Sequence, residues 1–454
     1  MIHHRFKRMH FVGIGGIGMS GLAEVFHNLG FDVSGSDIAI NDNIIRLKGS
    51  NIPVEIGHKP ENVIDKDVII YSSSISKDNP EIVNAQRLRI PVIRRAELLA
   101  ELVRMKYSIL VSGAHGKTTT TSLISTLLID AGFDPTVIIG GRLNRFNTNA
   151  ILGRGEFLVA ESDESDGSFL SLLPTIAIIT NIDREHMDFY KNYEAIKSAF
   201  IEFGNKVPFY GFVLACIENE GVIEILPYLK NRVITYGLSR EAYYRADNIQ
   251  LGSTDVSFDV FKDSRLYGRF KTSLRGMHNV LNSVATIAVG DELMIPQEKI
   301  SSSLVNFKGI GRRFEIKGEK GGVLVIDDYG HHPTEIRATL DTLRLLNRRR
   351  VFVVFQPHRF TRTYFLFDEF VRLFTDVEDL ILMEIYPAQE KPIEGVSSLN
   401  LLSALKKAGN STARLYKESS EIVDYLRANA RDGDAIITIG AGSVYRIGEE
   451  FLRQ

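Results

Sequence analysis

Apolar residues in this chain arrive in short unbroken runs, and many of the runs end on a glycine-rich or acidic turn. Met9-His-Phe-Val12 runs into Gly13, Tyr107-Ser-Ile-Leu-Val-Ser112 into Gly113, Phe157-Leu-Val-Ala160 into Glu161, and Thr175-Ile-Ala-Ile-Ile-Thr180 into Asn181. Runs of this kind, lacking the in–out alternation of a half-solvated strand, predict strands of parallel sheets buried on both faces. Between them the spacing changes. Leu22, Val25, Phe26 and Leu29 recur at helical intervals, and Gly30 stands where a helix would stop. Phe31–Asp37 and Asp67–Ser72 read as further strands, so the opening is a βαβ pattern with right-handed crossovers. Val323–Asp327, Val351–Phe355, Leu380–Met383 and Ala435–Ile439 repeat the pattern late in the chain, and the less regular stretch from Ile234 to Arg275 reads as additional β structure.

Composition narrows the class. A length of 454 residues accommodates roughly three domains at about 150 residues each. A formal net charge of −2 gives no bulk electrostatic case for nucleic acid or an anionic membrane as partner. No uncharged apolar stretch approaches the ~20 residues that span a bilayer, and the N-terminus lacks a signal-peptide run. The single cysteine, Cys216, lies in the apolar run Phe212–Ile217 and reads as a small buried hydrophobe. Together these predict a cytoplasmic protein, without membrane or nucleic-acid partners, that is a monomer or weak homodimer.

Two glycine turns carry the candidate chemistry. Gly13-Ile-Gly-Gly-Ile-Gly18 is a G-x-G-x-x-G turn between strand and helix, with Asp37 near the offset of a ribose-binding carboxylate. Alone it suits any diphosphate ligand, and an NAD-dependent dehydrogenase is one reading. Gly113-Ala-His-Gly-Lys-Thr118 matches the core of a P-loop, although Val111 stands where the pattern expects its first glycine. Backbone N–H groups and a helix start still cup phosphates there, with Lys117 as a point charge and the Thr118 hydroxyl suited to Mg²⁺. The acidic cluster Glu161–Asp166 and the segment Asn181–Asp188, containing His186, end neighbouring strands and offer oxygen and imidazole ligands. A non-catalytic nucleotide switch is a third reading of the same residues. The fold expectation is therefore α/β in three domains: Rossmann-like over 1–97, central and P-loop ATPase-like over 98–310, and again Rossmann-like over 311–454.

The order of these motifs resembles the Mur ligases, ATP-dependent amide-forming enzymes of peptidoglycan precursor synthesis. The resemblance rests on Gly13–Gly21, Gly113–Thr120, Glu161–Leu170 and Asn181–Asp188, and extends through Gly309–Phe314, Asp327–Glu335, Phe355–Arg362 and Gly440–Ser443, essentially the whole chain. Family P-loops usually read Gly-Thr-x-Gly-Lys, so Ala114 is a departure that leaves only the backbone cradle there. The resemblance implies ligation of L-alanine to the lactyl carboxylate of UDP-N-acetylmuramate through an acyl phosphate, with ATP and Mg²⁺ (or Mn²⁺). A family branch that attaches a whole tripeptide in murein recycling is the alternative.

Carried over by motif, the resemblance also implies roles for individual residues. Gly113, Ala114, His115, Gly116, Lys117, Thr118 and Thr119 cradle ATP. His278, Asn279 and Asn282 lie near its adenine, where a helix N-cap is the competing reading. Arg313 and Asp328 reach the nucleotide. Thr118, Glu161 and His186 hold metal. Gly15, Gly16, Ile17, Gly18, Asp37, Ser73 and Arg94 or Arg95 meet the UDP-sugar; His58 is a further candidate, with an exposed loop histidine after Gly57 as the competing reading. Tyr329, His331, Arg359 and Arg362 form the amino-acid pocket. Lys117, Glu161, His186, His331 and Arg362 are the catalytic set. Lys197 occupies a place similar to that of a carbamylated lysine in related ligases.

Overall fold

A computed structural model describes residues 7–72, 74–143, 148–388 and 390–453. Among them are a five-stranded, a ten-stranded and a six-stranded sheet, in a mixed α/β architecture. The chain forms two compact units: Met1–Gln250 with Asp255–Leu274 and His278–Lys308, and Leu251–Thr254 with Arg275–Met277 and Gly309–Gln454.

The first unit holds two of the sheets. The five-stranded sheet is wholly parallel and runs Val54–Ile56, Asp32–Asp37, Arg8–Val12, Val68–Tyr71, Val92–Arg94. Its order reverses beside Arg8–Val12, the strand that feeds the first glycine turn, and such a switch point opens a crevice at the carboxyl ends of the strands. The helix after the turn spans Ile17–Asn28, and Gly30 comes next at φ +91°, as the spacing predicts. In the ten-stranded sheet, Tyr107–Ser112 lies between Phe157–Glu161 and Ile176–Ile179, parallel to both. The three ends carrying the P-loop, the acidic cluster and Asn181 therefore fall side by side. The irregular stretch after Ile234 becomes Tyr244–Leu251, Val256–Lys262 and Arg265–Thr272, the last two an antiparallel pair.

One continuous core runs from Phe11, Leu22 and Val25 to Leu110, Ala160 and Ile179, which is why these two sheets form a single unit. At their junction Asn149 accepts from Arg46 Nη2 at 2.8 Å and donates to the Ile17 carbonyl. The thiol of Cys216 is buried, and that burial pushes its pKa up to about 11, in keeping with an inert hydrophobe.

The second unit has the order Glu315–Lys320, Val323–Asp328, Ala435–Ile439, Val351–Phe355, Asp379–Leu382, Arg414–Leu415. All neighbours are parallel except the edge strand Glu315–Lys320. The hydrophobic pattern does not announce that strand, because its residues mix charge with glycine and carry no apolar run.

Candidate active site

The P-loop links Ser112 to the helix Lys117–Ala131. Its two glycines are needed where they stand. Gly113 has φ +135°, and a side chain there would strike Thr180 and the Asn181 backbone; Gly116 has φ +81°, and a Cβ would come within 2.9 Å of Asn282 Oδ1. The loop is fastened to the neighbouring strand end: His115 N–H donates to Asn181 Oδ1 at 2.8 Å, and the His115 carbonyl accepts from Thr180 Oγ1 at 2.7 Å and Asn181 Nδ2 at 2.9 Å. His115 Nε2 lies 3.2 Å from Asp183. The missing glycine at Val111 is harmless, because that position is still inside the strand and fully buried.

Lys117 folds back over the loop. Its Nζ donates to the carbonyls of Gly113 (2.5 Å) and Ala114 (3.3 Å) and to both carboxylate oxygens of Glu164 (2.9 and 3.0 Å). Burial opposes charge on both partners. Lys117 nonetheless sits above the ordinary lysine range because Glu164 and Asp163 face it. Burial, with Asp163 adding repulsion, raises Glu164 to about 7 against the pull of Lys117. Asp163, Glu164 and His186 place one donor atom each within 4.8 Å of one another, a geometry able to hold a cation. His186 reaches this position at φ +56°, an uncommon backbone state for a residue other than glycine. Glu161 instead accepts from the Gly140 N–H at 2.7 Å. The acidic cluster is legible in sequence, but its division between Glu161 and the Asp163–Glu164 pair is not.

Asn282 hydrogen-bonds Thr120 Oγ1 (3.1 Å) and Asn279 (3.0 Å), and Asn279 in turn lies 3.0 Å from His278 Nε2. All three fall inside the helix Met277–Glu292, so the N-cap reading fails and the amides are aimed at the P-loop side. Thr118 and Thr119 are buried in the first turn of the P-loop helix.

At the first glycine turn, Asp37 Oδ2 accepts from the Gly15 N–H at 2.8 Å, while Asn41 and Asn43 hold the Gly15 carbonyl at 3.2 and 2.9 Å. Gly16 caps the helix that begins at Ile17, and Arg95 lies over Gly18, where an added Cβ would be 2.9 Å from its Nη1. Tyr71, on the neighbouring strand, raises the Arg94 pKa. Ser73 lies outside the described residues. His58 is drawn inward: its Nδ1 is 2.9 Å from Glu81 and 3.1 Å from Ser36, in a network with buried His10. That placement sets aside the reading of His58 as an exposed loop residue, since the ring is largely buried and hydrogen-bonded.

In the second unit, Asp328 is buried at the end of its strand, accepting from Phe314 N–H (2.7 Å) and Gly330 N–H (2.8 Å), and burial raises its pKa. Arg313 lies over the Tyr329 ring at 5.4 Å and reaches Glu335 at 3.4 Å. Tyr329 and His331 meet edge to face at 5.6 Å. His331 is 6.0 Å from the His358 ring, and His358 Nδ1 accepts from Arg362 Nη1 at 3.1 Å. Burial, reinforced by Arg362 and His331, lowers the His358 pKa to about 3, so the ring stays a neutral acceptor. His358 is not among the residues expected from sequence, although its place just past the strand Val351–Phe355 is the signal that picks out the other strand-end residues. Arg359 begins the next helix at φ +71°, ψ 141°, a strained conformation of the kind that clusters at functional sites.

Three family models match nearly the whole chain: the Mur ligase family catalytic domain over residues 8–107, the Mur ligase middle domain over 111–290, and the Mur ligase glutamate ligase domain over 312–442. The chain belongs to the Mur ligase family. The dehydrogenase reading of the first glycine turn is thereby set aside. UDP-N-acetylmuramate–L-alanine ligases from Geotalea uraniireducens and Geobacter sulfurreducens are each 50% identical over 453 residues, covering 99% or more of this chain and 98% or more of theirs. The crystal structure of UDP-N-acetylmuramate–alanine ligase from Thermotoga maritima superimposes with a TM-score of 0.85 at 29% identity, over 98% of both chains. A murein peptide ligase from Psychrobacter arcticus shares the fold, with a TM-score of 0.73 at 22% identity over 98% of both chains. Among the described residues of this Mur ligase no helix is long and apolar enough to cross a membrane.

Lys197 lies on the helix Tyr193–Gly204, which follows the segment containing His186. Its Nζ is paired with Glu194 at 2.6 Å and with Glu224, and stands over the Tyr193 ring at 5.1 Å. The hydrogen bonds of Glu194 and Glu224 raise the Lys197 pKa above the ordinary lysine value.

Proposed function

We propose that the chain joins L-alanine to the lactyl carboxylate of UDP-N-acetylmuramate, with ATP as co-substrate and ADP and phosphate as products, in cytoplasmic peptidoglycan precursor synthesis. The observation that carries this reading is the end-to-end identity of 50% with two ligases of that name. The recycling alternative has fold-level support from one structure at 22% identity, and 27% identity over 68% of this chain from another. We place the domain boundaries near residues 97 and 310, and take the chain to act as a monomer or weak homodimer.

The physical problem is to bring an anionic carboxylate to an anionic triphosphate. The P-loop fits the triphosphate: both glycines are held in conformations that expose backbone N–H groups, and a helix begins at Lys117. Gly113, Ala114, His115, Gly116, Thr118 and Thr119 would line the phosphates. Lys117 would neutralise the transferring group, a contribution worth about 3 kcal/mol or more. His278, Asn279 and Asn282 would border the adenine.

Carboxylate and hydroxyl oxygens suit both Mg²⁺ and Mn²⁺, and Asp163, Glu164 and His186 bring two carboxylates and an imidazole within 4.8 Å of one another. Thr118 and Glu161 would hold one metal ion and His186 would help to hold a second, and when bound these ions supply charge neutralisation for the phosphates. Gly15 to Gly18, Asp37, Ser73, Arg94 and Arg95 would bind the UDP-sugar. Tyr329 and His331 would bound the amino acid, while Arg359 and Arg362 take its carboxylate in the paired geometry a guanidinium favours. Neutral His358 leaves the Arg362 charge available and fixes its orientation. The carboxylate would then attack the γ-phosphorus, breaking the bond to the β-phosphate and expelling ADP, to give an acyl phosphate; the neutral L-alanine amine would attack its carbonyl, expelling phosphate and losing a proton to form the amide. The protein's share of this is alignment and electrostatic support.

Phosphate release with UDP-N-acetylmuramate and ATP, supplied in turn with L-alanine, glycine, L-serine or free tripeptide, tests the reading. L-Alanine should support the fastest turnover. Turnover with tripeptide and none with L-alanine would instead assign the recycling activity.

A further inference from the structure

Lys117 has three N–H donors, and all are engaged by the protein itself: the Gly113 and Ala114 carbonyls take two directions and the Glu164 carboxylate, bidentate, takes the third. The loop carbonyls are neutral, short-range partners that the lysine can keep. Glu164 is different. It is a carboxyl group, only 3% exposed, with both oxygens directed at the same ammonium that the triphosphate requires. Its own backbone carbonyl accepts from Tyr190 Oη at 2.6 Å, which anchors the residue in place.

We infer that Glu164 is a stand-in anion for the nucleotide: it keeps Lys117 folded over the P-loop and competes with the phosphates for the ammonium, which leaves Glu164 when the triphosphate enters. The inference rests on the nucleotide reading of the P-loop. Glu164 is thus a positioning residue acting through Lys117, and a surface pair of two flexible side chains would carry no such consequence. The buried carboxylate left behind stands beside Asp163 without a counter-ion, a costly state unless another cation takes the ammonium's place. The three donors of Asp163, Glu164 and His186 are spaced to receive one, so exchange of Lys117 for a cation would couple metal entry to nucleotide entry.

The sign of one measurement separates this from a structural role. Binding of ATP in the presence of EDTA is measured by calorimetry for the unaltered chain and for Glu164→Gln, which preserves shape and removes the competing charge. The expected result is binding about tenfold tighter in Glu164→Gln, with a gain that shrinks when Mg²⁺ is supplied. If Glu164 only builds the loop, the variant binds ATP equally or more weakly, and the inference is overturned. Absence of ATP binding by the unaltered chain would overturn the nucleotide reading itself. A crystal of the unaltered chain soaked with ATP gives a check that needs no variant. Lys117 Nζ should move from 2.9 Å to beyond hydrogen-bonding distance of Glu164; retention of that contact alongside bound phosphates would refute the exchange.

Discussion

The two glycine turns of the first unit are closed by opposite charges. At the first, a carboxylate enters the turn: Asp37 takes the Gly15 N–H, and two asparagines hold the carbonyl of the same residue. At the second, an ammonium lies over the turn, with Glu164 balancing it. Glycine spacing alone states only that a ligand's phosphates can approach the backbone. The charge that closes each turn decides how the ligand is treated once it is there. On the proposed function, a turn organised by a fixed carboxylate and flanked by Arg95 would hold a ligand unchanged, as a UDP-sugar must be held. A turn spanned by a long flexible cation is built to meet charge that moves.

The sharpest way to break this contrast is Lys117→Ala. If the second turn handles moving charge, turnover falls by roughly a hundredfold or more, the equivalent of about 3 kcal/mol, while the dissociation constant for UDP-N-acetylmuramate, read by fluorescence titration, stays within twofold. Equal losses in both measurements would mean that the turns are not separate devices. Next in size is Gly116→Ala. Its φ of +81° costs a side-chain-bearing residue about 1–2 kcal/mol, and the new Cβ would lie 2.9 Å from Asn282 Oδ1. Steady-state kinetics should show the KM for ATP rising about tenfold with the sugar KM unchanged.

These tests can be aimed at named residues because the strand ends are legible in the sequence. Tyr107–Ser112, Phe157–Glu161 and Ile176–Ile179 are apolar enough to be read as buried strands, and their adjacency then places Lys117, the acidic cluster and His186 in one neighbourhood. The pattern is silent on how polar side chains divide among themselves. Glu161 and Glu164 are three residues apart in one acidic run, yet one serves the Gly140 amide and the other Lys117. His58 reads like a loop histidine because Gly57 precedes it, but the buried carboxylate of Glu81 draws it inward, and nothing local to position 58 encodes Glu81. Short edge strands such as Val92–Arg94 and Arg414–Leu415 are similarly silent, being too brief to form a pattern.

A smaller effect is expected on the first turn from Gly15→Ala. The added Cβ would lie 2.7 Å from Asn41 Nδ2 and 2.8 Å from Asp37 Oδ2, both ends of side chains that can yield. The sugar KM should therefore rise several-fold, with the ATP KM untouched, the mirror image of Gly116→Ala. A change in the ATP KM alone would reverse the assignment of the two turns.

The finest distinction concerns Asp37 itself. Both of its oxygens already accept backbone N–H groups, from Gly15 at 2.8 Å and Ile38 at 2.7 Å. Each keeps spare lone-pair capacity, so a uridine ribose hydroxyl can still be accepted. Asp37→Asn retains one acceptor oxygen for the Gly15 amide but gives up the charge and the second acceptor. Loss of one charge-assisted hydrogen bond is worth about 1.5–3 kcal/mol when nothing replaces it, and an amide oxygen replaces part of it. The sugar KM should then rise about threefold, with kcat preserved, because the residue holds a part of the ligand that does not react. A fall in kcat at unchanged sugar KM would mean that this turn, too, responds to charge developing during the reaction, and the division between a holding turn and a reacting turn would be lost.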